Sequence, residues 1–274
     1  MKLGLAQWTG AARNQCHADS VPCVALLDAF HRAIAEFAVT DLDLVIEPAA
    51  LAAARRSLDS SGLLLGETHG VRENPLLIRA LMRAFGLTSL ALEWPGELGS
   101  VIRAFLDGGT LADHWAMWSG DGRITAGHLA VLAERAAAGP LEVILFDGPI
   151  EVGWSWSQRD EAMAGRLLAA TAAGTPALAV AGNYHTRTSH IELGVPMGAW
   201  LARQRPGIRE IRISYGGGCF YNLEPRQFRR RTSPQGQVRL YQHDGELVLE
   251  LPSAREAVVP LRPQPWPHIY ERQA

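Results

Sequence analysis

Residues 63–95 read LLLGETHGVRENPLLIRALMRAFGLTSLALEWP. Leu63, Leu64 and Leu65 form a short apolar run ended by Gly66, the pattern of a strand buried on both faces. A polar loop follows over 67–74. Pro75 then opens a helix and Gly86 closes it, the usual asymmetry of helix punctuation. Residues 88–93 (TSLALE) form a second strand, broken by Trp94, Pro95 and Gly96. Strand, helix and strand in so short a stretch predict a βαβ unit with a right-handed crossover.

The same rhythm extends outward. Upstream, apolar residues at helical spacing predict helices over 23–38 and 48–58, the second closed by a turn cluster at 59–62. Downstream, helices are expected over 97–107, 124–138, 157–173 and 195–205. Strands are expected over 141–146, 177–182 and 209–215, the last closed by Gly216, Gly217 and Gly218. The fold class is therefore α/β, with a mostly parallel central sheet and helices on both faces. Beyond Arg229, Arg230 and Arg231, residues 236–262 read as a C-terminal antiparallel hairpin turning at Asp244-Gly245 and added at the sheet edge. Residues 1–235 then make the α/β domain, irregular over 1–20. Residues 236–274 add the hairpin and a Pro-rich tail to the same domain.

With 274 residues, 47% of them hydrophobic, the chain can bury one large core, and 20% charged residues do not describe a disordered chain. A formal net charge of -2 gives no basic face for nucleic acid. Cys16, Cys23 and Cys219 match no zinc spacing, and their odd number points to a reducing compartment. The first residues lack the sustained apolar segment of a signal peptide, and no apolar run approaches the roughly 20 residues that span a bilayer. The expectation is a cytoplasmic protein without a nucleic-acid or membrane partner, acting on a small molecule or a peptide.

Ligands of open parallel sheets bind beyond the carboxyl ends of the strands. Four strand ends here deliver ionisable residues: Glu67, His69, Arg72 and Glu73; Glu93; Asp147; and then Asn183, His185, Arg187 and His190. Each has a plainer reading. Glu67 suits a helix N-terminus, His69 a surface loop and Asp147 a turn before Gly148. Glu93 closes an apolar strand, so its carboxylate is expected to be buried and to need a partner. Arg159 lies in the first turn of a helix, where a cation opposes the dipole, so it is expected to answer Glu67 or Glu93. His17, His31, His114, His128, His243 and His268 show no such company and read as structural or surface. Trp154 and Trp156 precede Arg159 and read as loop packing, with the lining of an apolar substrate pocket as the alternative.

At these residues the chain resembles the erythromycin esterase, ChaN-like haem-binding and Tiki protease group. LLLGETHGVREN followed by ALEWP carries the likeness, together with RDEAMAGRLLAA (159–170), ALAVAGNYHTRTSHIELGVPMGAWL (177–201) and ISYGGGCF (213–220). The resemblance spans roughly residues 60–220. It implies a cleft with two facing histidines. His69 would be the general base and Glu67 its neighbour. Glu93 would be the acid of the next strand, Arg159 the helix arginine and His185 the second histidine. The Gly66-to-His69 spacing is closer to the ChaN-like and Tiki pattern than to the esterases. The chain also lacks the helical insertions that build a macrolide pocket.

The leading expectation is hydrolysis of an ester or lactone, without a cofactor, by water that His69 deprotonates. There is no Gly-x-Ser-x-Gly elbow to supply a nucleophile. Glu67 or Glu93 would hold the imidazole tautomer. Arg159 and His185 would stabilise the oxyanion or protonate the leaving group, and Arg72, Asp147, Asn183 and Tyr184 would contact substrate. Three alternatives stand beside it. A divalent metal such as Mn²⁺ or Zn²⁺ could be held by Glu67, His69, Asp147 and His185, as the Tiki likeness implies. Haem could be bound through Tyr184, His185 or His69, as the ChaN-like likeness implies. The same base and arginine could also run a lyase or cyclase reaction.

Overall fold

A computed structural model describes residues 21–118, 120–149, 153–171, 177–229 and 236–260. The sequence readings over 1–20 and 263–274, with His17 and His268, fall outside them. Helix α1 (Val21–Glu36) leads to the short strand β1 (Leu44–Ile46) and helix α2 (Pro48–Ser60). Strand β2 (Leu63–Glu67), α3 (Asn74–Phe85), β3 (Ser89–Pro95), α4 (Gly99–Leu106), α5 (Ala126–Ala138) and β4 (Glu142–Asp147) follow. The chain continues through α6 (Trp156–Ala170), β5 (Leu178–Gly182), α7 (Met197–Gln204), β6 (Arg209–Tyr215), β7 (Cys219–Asn222), β8 (Glu224–Gln227), β9 (Val238–His243) and β10 (Glu246–Leu251).

Eight strands form one sheet in the order β1-β9-β10-β6-β2-β5-β3-β4, and β7 and β8 pair separately. Every pairing in the large sheet is parallel except β9 with β10. The side-chain period of two explains the layering. Leu63 and Leu65 of β2, with Leu90, Leu92, Leu178 and Val180, face a core built with α2, α3 and α5. Leu64, Ala91, Ala179 and Ala181 face a second core with Met163 and Leu167 of α6 and Met197 and Leu201 of α7. The central strands are thus apolar on both faces and read as unbroken runs. In β6 only alternate residues are buried, Ile211, Ile213 and Tyr215, whereas β10 is buried from Leu247 to Leu251, with Leu247, Leu249 and Leu251 on the face of the first core.

The hairpin turns at Asp244 and Gly245, both with positive φ, as its sequence predicts. Its place differs from expectation. Strand β10 pairs in parallel with β6, and β9 pairs in parallel with β1, so the hairpin is interior and β1 forms the edge. Three half-exposed or exposed residues carry no sequence signal for a strand, which is why β1 goes unread. The 63–95 unit also differs. Its two strands share the sheet but do not touch, because β5 pairs with both. That insertion brings the carboxyl ends of β2, β5 and β3 side by side. No helix among the described residues is long and apolar enough to cross a membrane.

Candidate functional site

Glu67 is the last residue of β2, 3% exposed, and His69 lies two residues beyond it. Extended chain at that spacing returns to the same side. Glu67 Oε1 meets His69 Nδ1 at 3.1 Å. The intervening loop is locked by a ring of hydrogen bonds. Thr68 N donates to Tyr215 Oη at 3.0 Å, Tyr215 donates to Asn74 Oδ1 at 3.0 Å, and Asn74 Nδ2 donates to Thr68 O at 2.8 Å. Gly70 follows with φ +72°, its N–H donating to Gly122 O and its carbonyl accepting from Tyr221 N and Ala257 N.

Glu93, also 3% exposed, sits between the two imidazoles. Its Oε2 accepts from Gly182 N at 2.8 Å and lies 3.8 Å from His69 Nε2. Its Oε1 accepts from Arg159 Nη2 at 3.0 Å and lies 3.6 Å from His185 Nε2. Gly182 ends β5, and a Cβ built there would lie 3.1 Å from the His69 ring and 3.4 Å from the His185 ring. The two histidines therefore share one crevice.

His185 is held from behind. Asp160, fully buried on α6, has both oxygens within 2.9 Å of His185 Nδ1, and its Oδ2 also accepts from Met197 N at the start of α7. Trp156 stacks on the imidazole with ring centroids 5.2 Å apart. Arg159 Nη1 donates to His185 Nε2 at 3.3 Å. Asp147 Oδ2 accepts from Arg159 Nη2 at 2.9 Å and from Arg123 Nη1 at 2.7 Å. Arg123 Nε donates to Asp121 Oδ2 at 2.6 Å.

The expected residues Glu67, His69, Glu93, Asp147, Arg159 and His185 thus converge, and Arg159 answers Glu93 rather than Glu67. Others do not join them. The Arg72 guanidinium lies over the Phe37 ring, 5.3 Å from its centroid. Tyr184 is 60% exposed. Asn183 enters through its backbone, donating to Glu67 O. Glu73 pairs with Arg255, Arg187 faces Glu210, and His190 is exposed.

His128, expected to be structural or surface, is structural: it is 4% exposed and its Nε2 lies 3.8 Å from Glu67 Oε2. Trp156 is not loop packing, since its ring covers His185. Asp121, Arg123 and Asp160 are site residues that sequence reasoning does not single out, although Asp160 lies within the RDEAMAGRLLAA stretch. Asp160 had a signal: with Met163, Ala164 and Leu167 it forms the buried stripe of α6 at i, i+3, i+4 and i+7, where an acid must find a partner. Arg123 sits in an irregular Gly-rich loop and has no periodic signal.

The electrostatics follow from burial and pairing. Burial opposes ionisation of Glu93, yet His185, Arg123 and Arg159 hold its pKa well below the usual carboxylate range. Burial likewise opposes ionisation of Glu67, but His128 and His69 outweigh it and its pKa is lowered. Burial works against the His69 imidazolium, but Glu67, Glu93 and Asp121 outweigh it and raise its pKa. Asp160 goes the other way, its pKa raised mainly by burial.

The depressed carboxylates predict acid lability. Stability from Glu93 and Glu67 is fully present above the ordinary carboxylate value and is lost as pH falls through their lower folded values. The melting temperature should therefore drop steeply below about pH 4. Glu93→Gln should flatten that drop, and an unchanged profile would contradict the assignment. The raised His69 adds stability below the ordinary imidazole value that fades as pH climbs through its folded value.

The residues do not fit the metal set expected from sequence. Asp147 is committed to two guanidinium groups, which also oppose a cation.

No protein-family model matches the chain, and no curated protein matches it in sequence. Two solved structures share part of its architecture. One is a Bacillus cereus protein at 9% identity and TM-score 0.49, covering 85% of this chain and 99% of that one. The other, described as "Bacterial protein toxins", has 17% identity and TM-score 0.42, and the likeness covers 68% of this chain and 39% of that one. Likeness at this level carries no functional argument.

Proposed function

We propose that the protein is a hydrolase that opens an ester or lactone with water activated by His69 and needs no metal. One observation carries the reading. Two imidazoles, each oriented at Nδ1 by a buried carboxylate, point their Nε2 atoms at the same carboxylate, Glu93.

In this reading Glu67 accepts a hydrogen bond from Nδ1–H of His69, which leaves Nε2 free to take a proton from water. The water oxygen bonds to the carbonyl carbon, and the carbonyl electron pair moves onto its oxygen. Arg159, backed by His185, stabilises that oxyanion. Collapse breaks the bond to the leaving oxygen, which takes the proton back from His69. Glu93 keeps Arg159 and the two rings in register. Among the described residues no Ser, Thr or Cys side chain is hydrogen-bonded to His69 or His185, which favours water as the nucleophile.

A panel of ester and lactone substrates, assayed after chelation and dialysis, tests the proposal. Turnover that survives chelation supports it; absence of turnover across the panel, or activity restored only by added metal, rejects it. On the substrate so found, Asp160→Asn should lower kcat about 10²-fold with little change in KM. An unchanged kcat would remove the Asp160–His185 pair from the mechanism.

A further inference from the structure

The proposed reaction needs donors for the oxygen on which charge develops, and Arg159 has little left to give. Its Nη1 donates to His185 Nε2, its Nη2 donates to both Glu93 and Asp147, and its Nε is buried without a partner among the described residues. The second guanidinium of the site is held differently. Arg123 Nε donates to Asp121 Oδ2 at 2.6 Å and Nη1 donates to Asp147 Oδ2 at 2.7 Å. Its backbone is tied as well: Arg123 N donates to Asp121 Oδ1 at 3.1 Å, and its carbonyl accepts from the Trp94 indole at 2.9 Å. Nη2 makes no hydrogen bond among the described residues, yet it is not one of their buried unpartnered atoms. It therefore reaches solvent, from a side chain that is only 18% exposed.

The place of this guanidinium suits the chemistry. Arg123 lines the crevice together with Glu67, His69 and Glu93. Its Nη1 lies 3.6 Å from Glu93 Oε1, and the other oxygen of that carboxylate lies 3.8 Å from His69 Nε2. Arg123 thus stands across Glu93 from the imidazole that activates water, as Arg159 stands beside His185. Two acids fix the plane of the group at Nε and Nη1, so the ordering cost of a long side chain is met before substrate arrives. A donor fixed in advance and aimed at a site where charge appears stabilises the transition state more than the ground state.

We propose that Arg123 is a further catalytic residue, its Nη2 donating to the substrate carbonyl oxygen as that oxygen takes up the electron pair. Arg159 completes the clamp from the His185 side. The assignment rests on the hydrolase reading, and a binding measurement that needs no turnover separates the two.

The experiment pairs kinetics with binding of phenyl methylphosphonate, a stable tetrahedral anion shaped like the intermediate of phenyl acetate hydrolysis. In Arg123→Lys and Arg123→Gln, kcat on a substrate from the panel should fall about 10²–10³-fold while KM changes little. The Kd for the phosphonate, measured by calorimetry, should rise by a similar factor. A loss of kcat with unchanged phosphonate affinity would make Arg123 a mere support for Asp121 and Asp147 and overturns the proposal, as does an unchanged kcat. A crystal structure of the wild type with phenyl methylphosphonate gives a reading that holds even if the variants do not fold. A phosphonate oxygen bonded to Arg123 Nη2 supports the assignment; a phosphonate seated elsewhere, or not bound at all, overturns it. If the wild type turns over no ester or lactone, the hydrolase reading fails on that result alone, and the phosphonate complex still decides whether Nη2 holds a tetrahedral oxyanion.

Discussion

His69→Ala should lower ester or lactone hydrolysis about 10²–10⁴-fold while the protein stays folded. The side chain is 14% exposed, is anchored by one bond to Glu67 and lines the polar crevice rather than either apolar core. The loss should fall on kcat, because the step that disappears is proton transfer from water. Removal of the ring also leaves Glu67 short of a donor, which costs about 1–3 kcal/mol of stability, so circular dichroism must accompany the kinetics. Wild-type activity should rise with pH as His69 gives up its proton, with the rise displaced above the ordinary imidazole range because its pKa is raised. Glu67→Gln removes the strongest of the interactions that raise it and should move that rise to lower pH. A folded His69→Ala variant with undiminished turnover would end the proposed mechanism.

Gly70→Ala should destabilise the protein by about 2–5 kcal/mol, through left-handed backbone strain and overpacking together. A Cβ at Gly70, where φ is +72°, would stand 1.7 Å from Tyr221 O, and backbone cannot yield as a flexible side chain can. Gly86 provides the control. Its φ is +68°, but nothing lies within 4 Å of a Cβ built there, so Gly86→Ala should cost only about 1 kcal/mol. Urea unfolding of both variants separates strain from clash, since the φ values match and only the packing differs. Equal losses would mean that the β7–β8 hairpin does not press on Gly70 as described. Where Gly70→Ala does fold, it should also impair catalysis, because Gly70 holds the chain next to His69 against residues 122, 221 and 257.

Much of the scaffold is legible before any coordinates. Apolar runs such as 63–65 and 177–182 mark strands buried on both faces, and Pro75 and Gly86 bracket α3 as their stereochemistry requires. Within the site, Glu67 and His69 are readable as a pair because two residues of extended chain return to one side. Glu93 is readable as buried because it closes an apolar strand, and Asp160 was readable from the stripe it shares with Met163 and Leu167.

The remainder depends on pairings that leave no local trace. Nothing in 177–182 says that this strand slots between two strands that lie far earlier in the chain, yet that register sets Gly182 against Glu93 and brings the two histidines together. Arg123 reaches Asp147 and Glu93 from an irregular loop, and His128 reaches Glu67 from a helix whose other buried residues are all apolar. Periodicity along the chain encodes which side of an element is buried. It does not encode which neighbour that side meets, because the choice is made by long-range packing of whole layers. The chain therefore carries the layers and the first half of the site in its local order, and folding supplies the second imidazole, both arginine contacts and His128.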